Sequence, residues 1–445
     1  MKQIVVIGGG AAGVEAAVAA AQGNTKVTLV SEGPIGGRTG WDSLLPSKVW
    51  LHAAEVAGIA TAAAGEGVAV NGVQVDPTAV LQRIKHVATR WSDHEQQRLQ
   101  AAGVTVMQGV AAFSSPHELT IQTQAGQQTI TADVIIIATG SVPRFPPTMK
   151  PDGQRIIAPR FASHLHTLPD DIIVIGGGPT GSEFASLFSR LGVKVTWLVG
   201  SPGVLPMFAT NARSTLAAAM QAHGVEIHQV DVERAERTEE GVSVLAADGT
   251  TYTAAMAFLA IGRTPDLSRL NLSAAGLTVE ANGQLTVDNY GRTPVNHIFA
   301  VGDAAGGPML ANRALAQAWI AGRTAADLPA PGYCPHTIVH AVYTVPEVAQ
   351  VGLVMDTELS RIRAEYGSSL KSYLGAETSG WIELTFDPIT RQVRGGVAVG
   401  DHAADLLAPV ALAIQTGATL ADLAAVFAAY PTLSETVFAA ARAAG

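Results

Sequence analysis

Gln3-Ile4-Val5-Val6-Ile7-Gly8-Gly9-Gly10-Ala11-Ala12-Gly13 stands near the start of this 445-residue chain and decides how the rest is read. Residues 3–7 are a short apolar run of the kind that forms a buried parallel strand; residues 14–21 follow as helix and residues 26–30 as a second strand. Between strand and helix the glycines keep the G-x-G-x-x-G spacing. Gly8 permits a tight turn, Gly10 lets a pyrophosphate approach the backbone, and Gly13 lets helix and strand pack closely, with Ala12 in the same turn. The helix N-terminus then faces the phosphates. A glycine-rich turn alone carries little information, but within strand-turn-helix-strand it implies dinucleotide binding. The ribose-holding acid expected at the end of the second strand falls on Ser31, with Glu32 beside it. Glu32 either reaches the ribose through a one-residue shift of the strand end or is a solvated surface side chain.

The pattern recurs. Ile172-Ile173-Val174-Ile175 leads into Gly176-Gly177-Gly178-Pro179-Thr180-Gly181-Ser182-Glu183, a helix to residue 191 and a strand at residues 194–199. Both blocks share Gly-Gly-Gly-x-x-Gly-x-Glu and a strand that opens Lys-Val-Thr and closes Leu-Val. Two such units imply two nucleotide sites, the second cradled by Gly176, Gly178 and Gly181; the other reading is a duplicated fold that has lost its second ligand. The second strand ends on Val199 and continues Gly200-Ser201-Pro202-Gly203, with no acid to select NAD and no Arg to greet a 2'-phosphate. NADH and NADPH are equally admissible on this reading, Ser201 offering one hydrogen bond.

Composition sets outer limits. A chain of 445 residues suits two or three domains. The formal net charge of -9, without a basic cluster, argues against a sequence-independent grip on nucleic acid or an anionic membrane. No run approaches the roughly 18 apolar residues of a membrane span, and residues 1–7 run directly into a strand, so the expected location is cytoplasmic. The single cysteine, Cys334, has no intrachain partner and reads as structural. His336 and His340 have an i, i+4 spacing but lead into an extended segment, where they would stand roughly 13 Å apart, so no metal site is expected.

Between the two units lies Gly36-Gly37-Arg38-Thr39-Gly40-Trp41-Asp42-Ser43-Leu44-Leu45-Pro46-Ser47-Lys48. With the paired glycine units and the later Gly302-Asp303 and Pro431-Thr432-x-x-Glu435, this segment resembles the dihydrolipoamide dehydrogenase branch of the pyridine nucleotide-disulfide oxidoreductases. The resemblance covers nearly the whole chain. Aligning Gly36-Gly37 and Pro46-Ser47-Lys48 puts Thr39 and Leu44 where that family carries its redox cysteines. At the far end, Tyr430 replaces the His that would shuttle protons to the dithiol, while its orienting partner Glu435 is kept. A His titrates near ~6.5 and a Tyr near ~10, so sulfurs and proton relay are both missing.

What the resemblance implies is an α/β protein with two Rossmann-like dinucleotide-binding domains and a C-terminal α+β dimerisation domain. Residues 1–145 and 266–330 would form the FAD domain, residues 146–265 the NAD(P) domain, and residues 331–445 the part that makes a homodimer. FAD would meet Gly37, Arg38, Thr39 and the backbone at Ala111. Thr139 and Gly140 would mark the exit from the flavin domain and Gly262 the exit from the nicotinamide domain. Asp303 would hold the ribityl chain, with Met309, Leu310 and Ala311 capping the flavin. Lys48 and Glu183 would form an ion pair where hydride arrives. The expected activity is electron transfer from NAD(P)H through FAD directly to a small acceptor, quinones leading. A flavin oxidase or dehydrogenase that acts on a small substrate without nicotinamide and a non-catalytic flavin-bearing dimer are the alternatives. Tyr430 either offers its hydroxyl to a bound acceptor or closes an interface, and Trp41 either stacks on a planar substrate or fills space. Residues 49–64, 77–102, 402–415 and 420–428 are expected helices, the second amphipathic through Val80, Leu81, Ile84, Val87, Ala88 and Trp91. Residues 381–385 and 393–399 are expected strands.

Overall fold

The computed structural model describes residues 1–375 and 379–444. It begins with β1 (Lys2–Ile7), α1 (Ala11–Ala20) and β2 (Thr25–Ser31), then α2 (Gly37–Trp41), α3 (Leu44–Ala62), α4 (Pro77–Ala101) and β3 (Thr105–Gln108). A meander of β4 (Val110–Ser115), β5 (Glu118–Thr123) and β6 (Gly126–Thr131) leads into β7 (Val134–Ile137). Next come β8 (Ser141–Pro143), β9 (Ile156–Ile157), β10 (Asp171–Ile175), α5 (Pro179–Arg190), β11 (Lys194–Leu198), α6 (Thr210–Ala222) and β12 (Glu226–His228). A second meander, β13 (Val232–Arg237), β14 (Val242–Ala246) and β15 (Thr251–Ala254), precedes β16 (Met256–Leu259) and β17 (Arg263–Pro265). The chain then returns to the first sheet through β18 (Ile298–Ala300) and α7 (Ala311–Ala325).

Two parallel sheets result, ordered β18-β7-β1-β2-β3 and β12-β11-β10-β16-β9. Past their first residues the central strands are apolar because both faces are covered; all of β7 is buried, as are residues 4–7 of β1 and 172–175 of β10. In the first sheet α1 and α7 follow strands that run the same way, so both helix N-termini reach the same edge. Small residues let these two helices touch: a Cβ on Gly322 would lie 2.4 Å from the Ala16 carbonyl oxygen. The sheets are joined by the two-stranded β8-β17 ribbon and by α3, whose Trp50 Nε1 donates to the Ala162 carbonyl at 2.7 Å.

The remaining chain forms β19 (His340–Val342), β20 (Val348–Gly352), β21 (Ser360–Glu365), α8 (Leu370–Leu374), β22 (Trp381–Phe386), β23 (Val393–Val399), α9 (Ala403–Leu406), α10 (Ala408–Thr416), α11 (Leu420–Ala424) and α12 (Glu435–Ala443). Its strands make one antiparallel sheet, β19-β20-β23-β22-β21. Gln350 ties it to the second unit, accepting from the Ala209 N–H at 3.0 Å and donating to the Met207 carbonyl at 2.8 Å.

The structure departs from the sequence reading at several points. α3 starts at Leu44, because a proline is tolerated in a first helical turn, and this places Ser47 and Lys48 on a helix. On α4 the buried stripe runs Val80, Ile84, Ala88, Ser92, Glu95 and Leu99, leaving Trp91 46% exposed. Glu95 is tolerated inside because Arg98 donates to both of its oxygens at 3.1 Å. The expected 402–415 helix is broken at Leu407, ahead of Pro409, and the next helix stops at Ala424. Alternation along β22 does not separate core from solvent, since every residue of the strand is buried; Glu383 accepts from Arg363 at 3.1 Å. His336 lies in a 3-10 turn and His340 on β19, so the two do not share a strand. Among the described residues there is no group of three or more His, Cys, Asp and Glu placed to hold a metal ion, and no helix is long and apolar enough to cross a membrane.

Candidate functional site

The two glycine turns are built alike. Gly8 and Gly176 take φ of +117° and +119°, a region closed to most side chains, and each receives the backbone of the next turn of helix. A Cβ on Gly13 would meet the Gly8 carbonyl oxygen at 1.7 Å, and one on Gly181 the Gly176 oxygen at 1.9 Å. Gly10 and Gly178 instead have open space where a Cβ would stand, and both cap a helix in the same extended conformation. The open positions face a single cleft of about 1550 Å³ that runs from the first turn to the second. The expected cofactor positions line this cleft except Ser201 and the two glycines Gly13 and Gly181, which lie behind the turns as packing positions.

The floor near the first turn is a set of locked polar side chains. Gly36 N–H donates to the Gly9 carbonyl at 2.9 Å, and a Cβ on Gly37 would lie 2.7 Å from Gly10 Cα, so the Gly36-Gly37 segment lies against the phosphate turn. Trp41 spends its Nε1–H on the Ile35 carbonyl at 3.0 Å and holds that crossing from the cleft side. Ser141 Oγ donates to Asp303 Oδ2 at 2.5 Å and accepts from Arg263 Nε at 2.7 Å, which fixes the carboxylate at the end of β18. Arg38 donates to the Thr139 carbonyl at 3.1 Å and pairs with Asp266. Thr139 Oγ1 is buried without a hydrogen-bond partner among the described residues.

Glu32 directly follows β2 and grips Arg269 through two hydrogen bonds of 2.6 and 2.7 Å. The Arg269 guanidinium holds its carboxyl below the usual carboxylate range. Ser31 is buried and turns its hydroxyl to the Gly33 carbonyl at 2.8 Å. The carboxylate that the end of β2 brings to the cleft is therefore Glu32, with Arg269 attached. Asp266 and Arg269 escaped the sequence reading, being more than two hundred residues from the turn they serve.

Between the two turns stands the Lys48–Glu183 pair. Lys48 Nζ donates to both Glu183 oxygens at 2.8 Å, and the side chains are 30% and 10% exposed. The Tyr343 backbone N–H donates to Glu183 Oε1 at 3.1 Å, and the Tyr343 ring lies 4.6 Å from Lys48 Nζ. Burial pushes the Tyr343 hydroxyl upward from its ordinary pKa, with the Glu347 and Glu183 charges adding to it. Tyr343 precedes β20 in sequence and gave no sign of this role. Thr39, on α2, and Leu44, at the start of α3, both line the cleft on the Lys48 side.

Tyr430 and Glu435 are not brought to the cleft of their own chain. Tyr430 is 71% exposed, and Glu435 accepts from the Ser369 hydroxyl at 2.9 Å rather than from Tyr430. Cys334 is half-buried and unpaired by disulfide.

Residues 2–318 match the pyridine nucleotide-disulphide oxidoreductase family, and residues 338–441 match the dimerisation domain of that family. The chain belongs to the pyridine nucleotide-disulphide oxidoreductases. Within the family it is similar to the dihydrolipoyl dehydrogenase of Chlorobaculum tepidum, 32% identical over 98% of this chain and 95% of that one. It is also similar to a NAD(P)H dehydrogenase (quinone) of Mycobacterium tuberculosis, 32% identical over 99% of this chain and 93% of that one. The crystal structure of LpdA from M. tuberculosis superposes with a TM-score of 0.95 at 31% identity, over all of both chains. The Escherichia coli flavoprotein disulfide reductase RclA shares the fold at 22% identity, with a TM-score of 0.86.

This is a family of oxidoreductases that use FAD with NAD(P)H, and the residues present here fit both. The first turn offers an open Gly10, the helix N-termini of α1 and α7, a fixed Asp303 and a buried hydroxyl on Thr139 with an unmet hydrogen bond; the second offers an open Gly178 and the N-terminus of α5. With one cysteine in the chain, at position 334, the cysteine pair of the disulfide reductases is absent.

Proposed function

We propose that this protein carries electrons from NAD(P)H through FAD to a small diffusible acceptor with no disulfide relay, and that the acceptor class is quinones. The observation that carries the reading is the combination at one place in the cleft: an intact Lys48–Glu183 pair at 2.8 Å, and Thr39 and Leu44 at the positions aligned with the redox cysteines. FAD, when bound, accepts two electrons from a nicotinamide and returns them one or two at a time.

The protein's part is positioning. The Gly8–Gly13 turn and Asp303 would hold FAD, and the Gly176–Gly181 turn would hold the nicotinamide dinucleotide. Lys48 and Glu183 come from helices of different units, so their pairing aligns one turn with the other. The Tyr343 N–H keeps Glu183 from rotating away. Glu183 is nearly enclosed and Lys48 only partly so, which gives the pair a fixed geometry at low hydration. Thr39 and Leu44 cannot be reversibly oxidised, so reducing equivalents have no protein sulfur beside them to occupy. A planar, apolar acceptor suits a cleft whose lining includes Leu44, Met309 and Leu310. The relative named NAD(P)H dehydrogenase (quinone) supports the acceptor class.

Homodimer formation belongs to the same proposal. Tyr430 and Phe427 stand 71% and 82% exposed within the segment that matches the dimerisation domain, where a second copy would cover them. Stopped-flow mixing of the FAD-loaded protein with NADH or NADPH under anaerobic conditions, followed by a quinone or a small disulfide, tests the whole reading. Bleaching of the flavin and rapid return of colour with the quinone alone is the expected result. A flavin that stays oxidised for minutes with both nicotinamides would end the reading.

A further inference from the structure

The strand that follows the second glycine turn, β11, ends on Leu198, and neither it nor Val199 brings a carboxylate to the ribose corner. The structure delivers one from another strand. β12 runs parallel to β11, and the pairing continues past the strand ends: Val199 N–H donates to the His228 carbonyl at 3.0 Å and Gly200 N–H to the Val230 carbonyl at 3.2 Å. Asp231 therefore arrives beside residues 200 and 201 and lines the cleft with Val199, Pro202 and Gly203. Its Oδ1 accepts the Ser201 N–H at 3.0 Å, and its carbonyl oxygen accepts the Ala247 N–H at 2.8 Å. Gly200, at φ +67°, leaves room for it; a Cβ there would lie 3.0 Å from Oδ1. Among the described residues, Oδ2 has no hydrogen-bond partner.

Two features that would welcome a 2'-phosphate are already committed. The Ser201 N–H is occupied by Asp231 itself. Arg213, on α6, spends Nε on the Val204 carbonyl and Nη2 on the Pro202 carbonyl, both at 2.7 Å, and is not among the residues that line the cleft.

From this geometry we infer that Asp231 decides coenzyme choice: Oδ2 accepts the adenosine ribose hydroxyls of NADH, and its charge repels the 2'-phosphate of NADPH. The inference rests on the nicotinamide site proposed above. A 2'-phosphate carries a charge near about -2 at neutral pH, and an exposed carboxylate next to it gives on the order of a tenfold preference for the coenzyme without it. Selectivity is thereby supplied by the loop after the third strand of the unit rather than by the end of the second.

The test is binding, read apart from catalysis. NAD⁺ and NADP⁺ are titrated into the FAD-loaded protein by calorimetry at low and at half-molar KCl, for wild type, Asp231→Asn and Asp231→Ser, alongside kcat/KM for NADH and NADPH. Expected are a roughly tenfold tighter Kd for NAD⁺ in wild type, shrinking at high salt as screening requires, and a gain in NADP⁺ affinity of about tenfold in both variants with a few-fold loss for NAD⁺. Wild type that binds both alike or favours NADP⁺, or variants that shift both coenzymes by the same factor, would overturn the inference. Discriminating binding without flavin reduction would leave it standing and overturn the proposed hydride donor instead; no binding of either coenzyme would sink both.

Discussion

Replacing Lys48 with Met should cost more stability than replacing its partner Glu183 with Gln, although both break the same ion pair. In the Lys48→Met variant Glu183 keeps its charge in a place where its side chain is 10% exposed, with the Tyr343 N–H as its remaining donor. Stranding a fully buried charge costs about 3–5 kcal/mol, and the residual exposure here brings the expectation to about 2–3 kcal/mol. In the Glu183→Gln variant the carboxamide oxygen still accepts the Tyr343 N–H. The Lys48 ammonium, 30% exposed and over the Tyr343 ring at 4.6 Å, is rehydrated through the cleft. That change should cost about 1 kcal/mol. The double variant should fall near the Lys48→Met value or above it in stability, since the charge that made the single change expensive is gone. Urea unfolding of the FAD-loaded protein, followed by flavin fluorescence and far-UV circular dichroism with a check that the slopes agree, measures all three. Equal losses in the two single variants, or a double variant whose loss is their sum, would show that Glu183 is not held as the structure has it.

The two glycine turns should fail independently. Gly13→Ala places a Cβ 1.7 Å from the Gly8 carbonyl oxygen and should yield protein without flavin, whereas Gly181→Ala, with its clash of 1.9 Å at Gly176, should keep FAD and lose nicotinamide binding; absorbance spectra and coenzyme titration separate the two. Thr139→Val removes a buried hydroxyl that has no partner among the described residues, so the fold should be unharmed while FAD affinity, measured by reconstitution of the apoprotein, drops roughly tenfold. Burial raises the Glu347 carboxyl from its ordinary 4.5 to about 6, so its ionised form opposes folding; the protein should gain up to about 2 kcal/mol as pH falls from above 6 towards 4.5, and Glu347→Gln should flatten that part of a stability-versus-pH curve. A slope unchanged in that variant would assign the effect to other groups.

How far the site could be read from sequence follows the reach of each constraint. The glycine turns were legible because their demands are local: Gly8 must take positive φ and Gly13 must lack a Cβ whatever surrounds them. Lys48 and Glu183 were legible as a pair only through resemblance, since 135 residues separate them and no periodicity links the helices that carry them. Asp231 and Tyr343 were not legible at all. Asp231 owes its place to strand pairing that continues past β12, and Tyr343 reaches Glu183 through its backbone N–H, a group that every residue but proline has. The apolar face of α4 was half right: Ile84 and Ala88 turn inward, while Trp91 faces outward because the buried stripe drifts to Ser92 and Glu95, polar positions that hydropathy alone would assign to solvent. The segment after residue 402 read as one helix because its alanines and leucines favour helix; Pro409, in the first turn of a new helix, splits it at Leu407.

The central claim is that electrons pass from flavin to acceptor with no sulfur pair between, and anaerobic reductive titration tests it most directly. With Thr39 and Leu44 in place of cysteines, one equivalent of NADH or dithionite per flavin should bleach the flavin band completely, without a long-wavelength thiolate-to-flavin band at any stage, and Cys334→Ser should titrate the same way. A second equivalent consumed before bleaching, or a charge-transfer band that disappears in Cys334→Ser, would place a redox-active thiol in the pathway and contradict the account.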